Sequence, residues 1–200
     1  MPEISKEFKH SWFMKPITNH VPCWVGTPYD VYQYVTSERA LDAQNELRSM
    51  SDEKIQRNYK GRNFHWVTPA GVFSYASDDK VVTYSGLVCM DIDYLCQPSE
   101  IDEEHGDPVT ELKEKLLNDP RFDTVLLFRS PRGRGLKWWI PTDLEFGYRE
   151  YFTAVRNYLT AAYHLTNEQV DANCINESRG CFLGHDAHCY LKPELFKLHL

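Results

Sequence analysis

The chain has 200 residues, with 22 Lys and Arg against 29 Asp and Glu, a formal charge of −7. Its 42% hydrophobic and 14% aromatic content is that of a globular protein and excludes a wholly disordered, collagenous or coiled-coil chain. The acidic balance excludes a uniformly basic nucleic-acid coat, though not a local basic site. No apolar run approaches the roughly 20 residues of a membrane span. Met1 to Phe13 carries Glu3, Lys6, Glu7 and Lys9 without an apolar stretch, so no secretory signal is expected. The six cysteines (23, 89, 96, 174, 181, 189) then read as reduced thiols of a cytoplasmic protein.

Residues 1–60 read as a mainly helical part of the same unit as residues 61–192. Thr27-Pro28-Tyr29-Asp30 opens a helix with Pro in its first turn, and Ser37 to Met50 holds good helix formers. Ser51-Asp52-Glu53-Lys54 supplies an N-cap for a short helix ending at Gly61. Strand character comes next over Phe64–Tyr75 and again over Val81–Asp93, whose apolar centre is Leu87-Val88-Cys89-Met90. Gln97 to Asp107 reads as an acidic surface loop. Asp107-Pro108 caps a helix with Val109, Leu112, Leu116 and Leu117 on one side. Thr124–Phe128 and Leu136–Ile140 read as strands of a hairpin, and Tyr148–His164 as an amphipathic helix. A short strand is expected near Cys181-Phe182-Leu183. Residues 61–192 form the core in this reading, and 193–200 start a helix or linker to a further region. The interleaving of strands and helices predicts an α+β or α/β sandwich around a mixed sheet.

Two segments carry chemistry. In Cys89-Met90-Asp91-Ile92-Asp93, alternation along a strand puts Asp91 and Asp93 on one face. Paired carboxylates repel, and a divalent cation such as Mg²⁺ or Mn²⁺ relieves that repulsion. In Ser130-Pro131-Arg132-Gly133-Arg134-Gly135-Leu136-Lys137, glycines admit a close anion, Ser130 adds a hydroxyl, and Arg132, Arg134 and Lys137 add positive charge. Each segment has a plainer alternative: a strand end running into an acidic loop, and a hairpin turn with solvated arginines. Together they are the minimum equipment for nucleotidyl or phosphoryl transfer. Asp171 is the candidate third acid and Asp186 its rival. In Trp138-Trp139 one ring faces the core and the other faces away; core packing or a sheet face covered by a helix is the reading preferred for the second ring over stacking on a base. Lys60, Arg62 and Lys80 could line a nucleic-acid path, but scattered surface charges are the default reading. Cys174, Cys181, His185, His188 and Cys189 lack the paired spacing of a structural zinc site.

In this order the pieces resemble the archaeo-eukaryotic primase superfamily, which carries an Asp-x-Asp, then a Ser-x-x-Gly-x-His-like segment, then a further acid. The matching residues are Asp91 and Asp93, then Ser130, Gly133, Gly135 and Lys137, then Asp171. Lys137 stands where that family has His. Pro69-Ala70-Gly71-Val72-Phe73 and Asn176-Glu177-Ser178-Arg179-Gly180-Cys181-Phe182 resemble the primase-like N-terminal domain of virulence-associated E proteins. The resemblance implies an RNA-recognition-motif-like sheet packed with a second α/β unit. It implies metal on Asp91, Asp93 and Asp171, and a nucleoside triphosphate held by Ser130, Arg132, Gly133, Arg134, Gly135, Lys137 and Arg179. It further implies single-stranded DNA as partner and a helicase domain elsewhere in a mobile-element or phage replication protein. A catalytically inactive DNA-binding module that positions a helicase is the alternative. A metal-dependent glycosyltransferase is a third reading, which leaves the Arg-rich hairpin unexplained.

Overall fold

The computed structural model describes residues 7–96, 106–142 and 146–196. The acidic segment 97–105 and the last four residues therefore lie outside the described residues. Among the described residues, two four-stranded sheets and a separate hairpin make up the β structure. The first sheet runs β2 (Trp24–Gly26), β1 (His10–Phe13), β3 (Trp66–Thr68) and β9 (Cys181–Phe182). The second runs β10 (Tyr190–Leu191), β7 (Leu126–Arg129), β8 (Leu136–Pro141) and β6 (Leu87–Ile92). The hairpin is β4 (Gly71–Phe73) with β5 (Val81–Tyr84). Neighbouring strands within these sheets all pair antiparallel, so the sheet expected to be mixed is antiparallel and the fold is α+β.

The helices begin where local chemistry predicts. At α1 (Pro28–Thr36) the Thr27 N–H donates to Asp30 Oδ2 at 2.8 Å. α2 (Leu41–Ser49) follows a single 3₁₀ turn. Asp52 caps α3 (Glu53–Asn63) by accepting from the Ile55 N–H, and Asp107 caps α4 (Pro108–Leu117) by accepting from the Val109 N–H. α5 (Tyr148–Ala162) buries Tyr148, Phe152, Val155 and Leu159, one stripe at helical spacing. A single turn, α6 (Pro193–Phe196), ends the described chain. The first sixty residues are less purely helical than expected, because they also supply β1 and β2. The Val81–Asp93 run is two strands, separated at Ser85-Gly86.

Alternation along β6 assigns its two faces to two cores. Val88, Met90 and Ile92 join Trp138 and Ile140 of β8 under α4 and α5. Leu87 and Cys89 join Trp139, Leu126 and Phe128 against Trp12 and Val67 of the first sheet and Val31 and Val35 of α1. Full burial of each such side chain contributes about 1.5–3 kcal/mol. Both tryptophans of the Trp138-Trp139 pair are fully buried. This is the core-packing outcome expected for the pair over base stacking, because each face of this sheet is covered.

Candidate functional site

Asp91 continues the Leu87–Cys89 face of β6, and antiparallel register sets it opposite Lys137 of β8. The two form a buried ion pair through Asp91 Oδ2. Burial opposes the Lys137 ammonium, but Asp91 and Asp93 outweigh it and hold its pKa well above the ordinary lysine value. Burial pushes the Asp91 carboxyl up; Lys137 pulls it down and Asp93 adds to the rise. Asp91 Oδ1 is buried and has no hydrogen-bond partner. Asp93 follows the last residue of β6. Burial pushes its carboxyl up as well, yet Lys137, Lys60, Arg132 and Arg134 prevail and the net shift is downward.

β6 is an edge strand, and the chain returns to its free edge. Val170 bridges Ile92, the Asp93 N–H donates to Gln169 O at 2.8 Å, and the Asp171 N–H donates to Asp91 O at 3.1 Å. Asp171 is thereby carried to Asp91: ligand atoms of Asp91, Asp171 and Cys174 lie within 4.8 Å of one another. Asp93 lies outside that group. Arg179 grips Asp171 at 3.0 Å, and Asn173 donates to its other oxygen through backbone and side chain. Burial and then Asp91 push the Cys174 thiol far up, so it stays protonated among hard oxygen donors.

The Ser130–Gly135 bend packs onto the acid strand. The Leu95 N–H donates to Arg134 O at 2.9 Å, and a methyl group at Gly135 would overlap the Ile92 carbonyl oxygen. Only glycine allows this approach. Gly133 takes φ +80°, and the Arg48 guanidinium lies over it while donating to Pro131 O at 3.0 Å. The nest of backbone donors expected in the bend is partly consumed, because the Ser130 and Gly133 N–H groups bond within the turn. Side chains supply donors instead: Ser130 Oγ and Arg132 Nε are buried without a partner. Arg134 turns away to Glu53, at 3.0 Å, and over the Tyr94 ring, 5.4 Å from its centroid.

Asp171 is the acid brought to Asp91, and Asp186 is engaged elsewhere. The latter accepts from the Arg129 and His188 N–H groups and pairs with Lys113 at 3.3 Å. Of the other basic candidates, Arg62 is exposed and Lys80 pairs with the exposed Asp79. Lys60 belongs to the site. From α3 its Nζ lies 5.0 Å from the Phe182 ring centroid, and burial together with Lys137 and Arg132 lowers it to about 8 against the pull of Asp93 and Asp91. Its sequence signal is faint, a position one turn after the buried Gln56 on α3. Cys174 reads in sequence as part of the Cys/His-rich tail, but among the described residues it joins the acids and no tail cluster forms.

An antiparallel edge strand thus offers two facing carboxylates, one with an unpartnered oxygen. A glycine bend with two unpartnered donors and a helix-borne lysine border them. Among the described residues no helix is long and apolar enough to cross a membrane. No curated protein and no solved structure matches the chain. Residues 60–191, which carry the acids, the bend and Lys60, match the family described as BT4734-like, N-terminal domain, and with well over half of its length covered the chain belongs to that family.

Proposed function

We propose that the chain is a primase-polymerase-like domain that binds a nucleoside triphosphate with Mg²⁺ or Mn²⁺ and transfers its nucleotidyl group to a 3′ hydroxyl on a single-stranded DNA template, with pyrophosphate as the leaving group. The observation that carries this reading is the packing of the Ser130–Gly135 bend against the strand bearing Asp91, with Asp171 delivered to that strand's other edge. The donor set fits a hard divalent cation: Asp91 Oδ1 is a buried, unpartnered oxygen and Asp171 supplies a second carboxylate. Asp91 and Asp171, with Asp93 beside them, would hold it. When bound, such a cation neutralises phosphate charge and acidifies the attacking hydroxyl. The chain's own groups do the rest. Lys137 and Lys60 set positive potential beside the acids, Ser130 Oγ and Arg132 Nε offer donors to phosphate oxygens, and Arg179 fixes Asp171. A helicase region in the same replication protein of a phage or mobile element belongs to this proposal.

The Lys137–Asp91 ion pair supports a second reading, a catalytically silent module that binds DNA and positions a helicase. An ammonium already neutralises one acid there, and lysine does not titrate near neutrality as histidine does. Mn²⁺-dependent nucleotide incorporation on a primed and an unprimed single-stranded template separates the two. Activity that disappears in Asp91→Ala with Asp93→Ala, and equally in Asp91→Asn with Asp171→Asn, at unchanged near-UV circular dichroism, supports the transferase. Strand binding by the wild-type chain without any incorporation selects the silent module.

A further inference from the structure

A cavity of about 550 Å³ lies beside Asp171 and is lined by Glu53, Tyr94, Asn167, Glu168, Asp171 and Asn173, with Ala172. That volume falls within the range of small-molecule sites, roughly 300–1,000 Å³. Its chemistry differs from the other side of the acids. β6 has β8 with Lys137 along one edge and residues 169–171 along the other. On the β8 side stand Lys137, opposite Asp91, and the bend carrying Arg132 that leads into β8, and with Lys60 of α3 they hold the Asp93 carboxyl down. The cavity on the opposite edge is lined by carboxylates, amides and one aromatic ring, and the guanidinium groups that reach its wall, Arg134 at Glu53 and Arg179 at Asp171, are each engaged by one of those carboxylates. With those guanidinium groups committed to carboxylates, the wall favours neutral polar groups over a polyphosphate, and sugar hydroxyls and a base edge find hydrogen-bond partners on it.

Tyr94 stands at the boundary. It has φ +57°, a left-handed conformation uncommon for a residue other than glycine, asparagine or aspartate. It is 38% exposed in spite of its size. Its position is held from several sides. Gln169 Nε2 donates to its carbonyl at 3.3 Å, the Arg134 guanidinium lies over its ring, and its hydroxyl is 3.5 Å from Arg132 Nη1. A ring so fixed, between the cationic bend and the cavity, has the makings of a stacking platform.

Resting on the nucleotide reading above, we propose that this cavity is the nucleoside subsite: the base stacks on Tyr94 and the sugar meets the amide and carboxylate wall, while the triphosphate points to Lys60, Arg132 and Lys137. The ligand is thereby oriented across Asp91 and Asp171, with its phosphates on the cationic side.

Titration calorimetry of the whole chain with Mg²⁺ tests this, using ATP and inorganic triphosphate as separate probes. Wild type is expected to bind ATP more tightly than inorganic triphosphate. Tyr94→Ala is expected to weaken ATP roughly tenfold or more and leave inorganic triphosphate unchanged, and Tyr94→Phe to restore ATP binding. Lys60→Met reverses the pattern and weakens both probes. Equal loss of both probes in Tyr94→Ala, no loss of either, or equal wild-type affinity for the two overturns the subsite. Wild type binding neither probe overturns the nucleotide reading itself, and the subsite with it.

Discussion

Asp91 and Asp186 are both buried aspartates paired with a lysine, their side chains 13% and 9% exposed, yet they are built differently. Both oxygens of Asp186 are engaged, by the Arg129 and His188 N–H groups and by Lys113. Burial raises its carboxyl, but those partners bring it below the ordinary carboxylate value. Asp91 has Lys137 on one oxygen and nothing on the other, and its carboxyl lies above the ordinary value. A saturated buried acid ties elements together. A half-satisfied one carries an energetic penalty that only a further partner removes, and such exceptions cluster where ligands bind.

The contrast can be broken most forcefully at Asp186. Asp186→Ala strands two backbone amides and Lys113, and is expected to cost about 3–5 kcal/mol in urea unfolding. A loss under about 1 kcal/mol would end the distinction. Gly135→Ala comes next. Its methyl group forces the bend away from Ile92, at about 1–3 kcal/mol by the same measurement, with a parallel loss of triphosphate affinity in calorimetry. Asp91→Leu with Lys137→Met replaces the whole ion pair with apolar groups. It is expected to be neutral or stabilising in thermal unfolding while eliminating nucleotide incorporation. The smallest effect sharpens the electrostatic side of the comparison. Lys60 holds its proton below about 8 and loses it above, so triphosphate affinity should fall as pH rises through that value. Lys60→Arg should flatten that step, since arginine stays charged throughout.

Much of this site was legible because it rests on short-range rules. The apolar run marked the strand that carries Asp91, Asp52 and Asp107 announced their helices, and the glycines marked the bend as a turn, although the close approach that Gly135 permits is to the Ile92 carbonyl oxygen. What was not legible depends on long-range pairing. β1 and β2 are four and three residues long, and the register of β1 with β3 is fixed only by partners over fifty positions away. The Asp91–Lys137 pair required the β6–β8 register, which places a lysine against the carboxylate that the Asp-x-Asp reading had left free. Tyr94 gave no signal and Lys60 only that of a scattered charge, because neither belongs to a motif. One gains its position from a bend forty residues downstream, the other from how a helix lies over a sheet.

Among the described residues the third acid reaches its neighbour by two main-chain hydrogen bonds along one border of β6, whereas the opposite border of the same strand is zipped to β8 over six residue pairs. Amide deuterium uptake should therefore run faster at Asp93 and Asp171 than at the interior positions of that ladder. An opening confined to the first border would part Asp171 from Asp91 and leave the β6–β8 ladder in place.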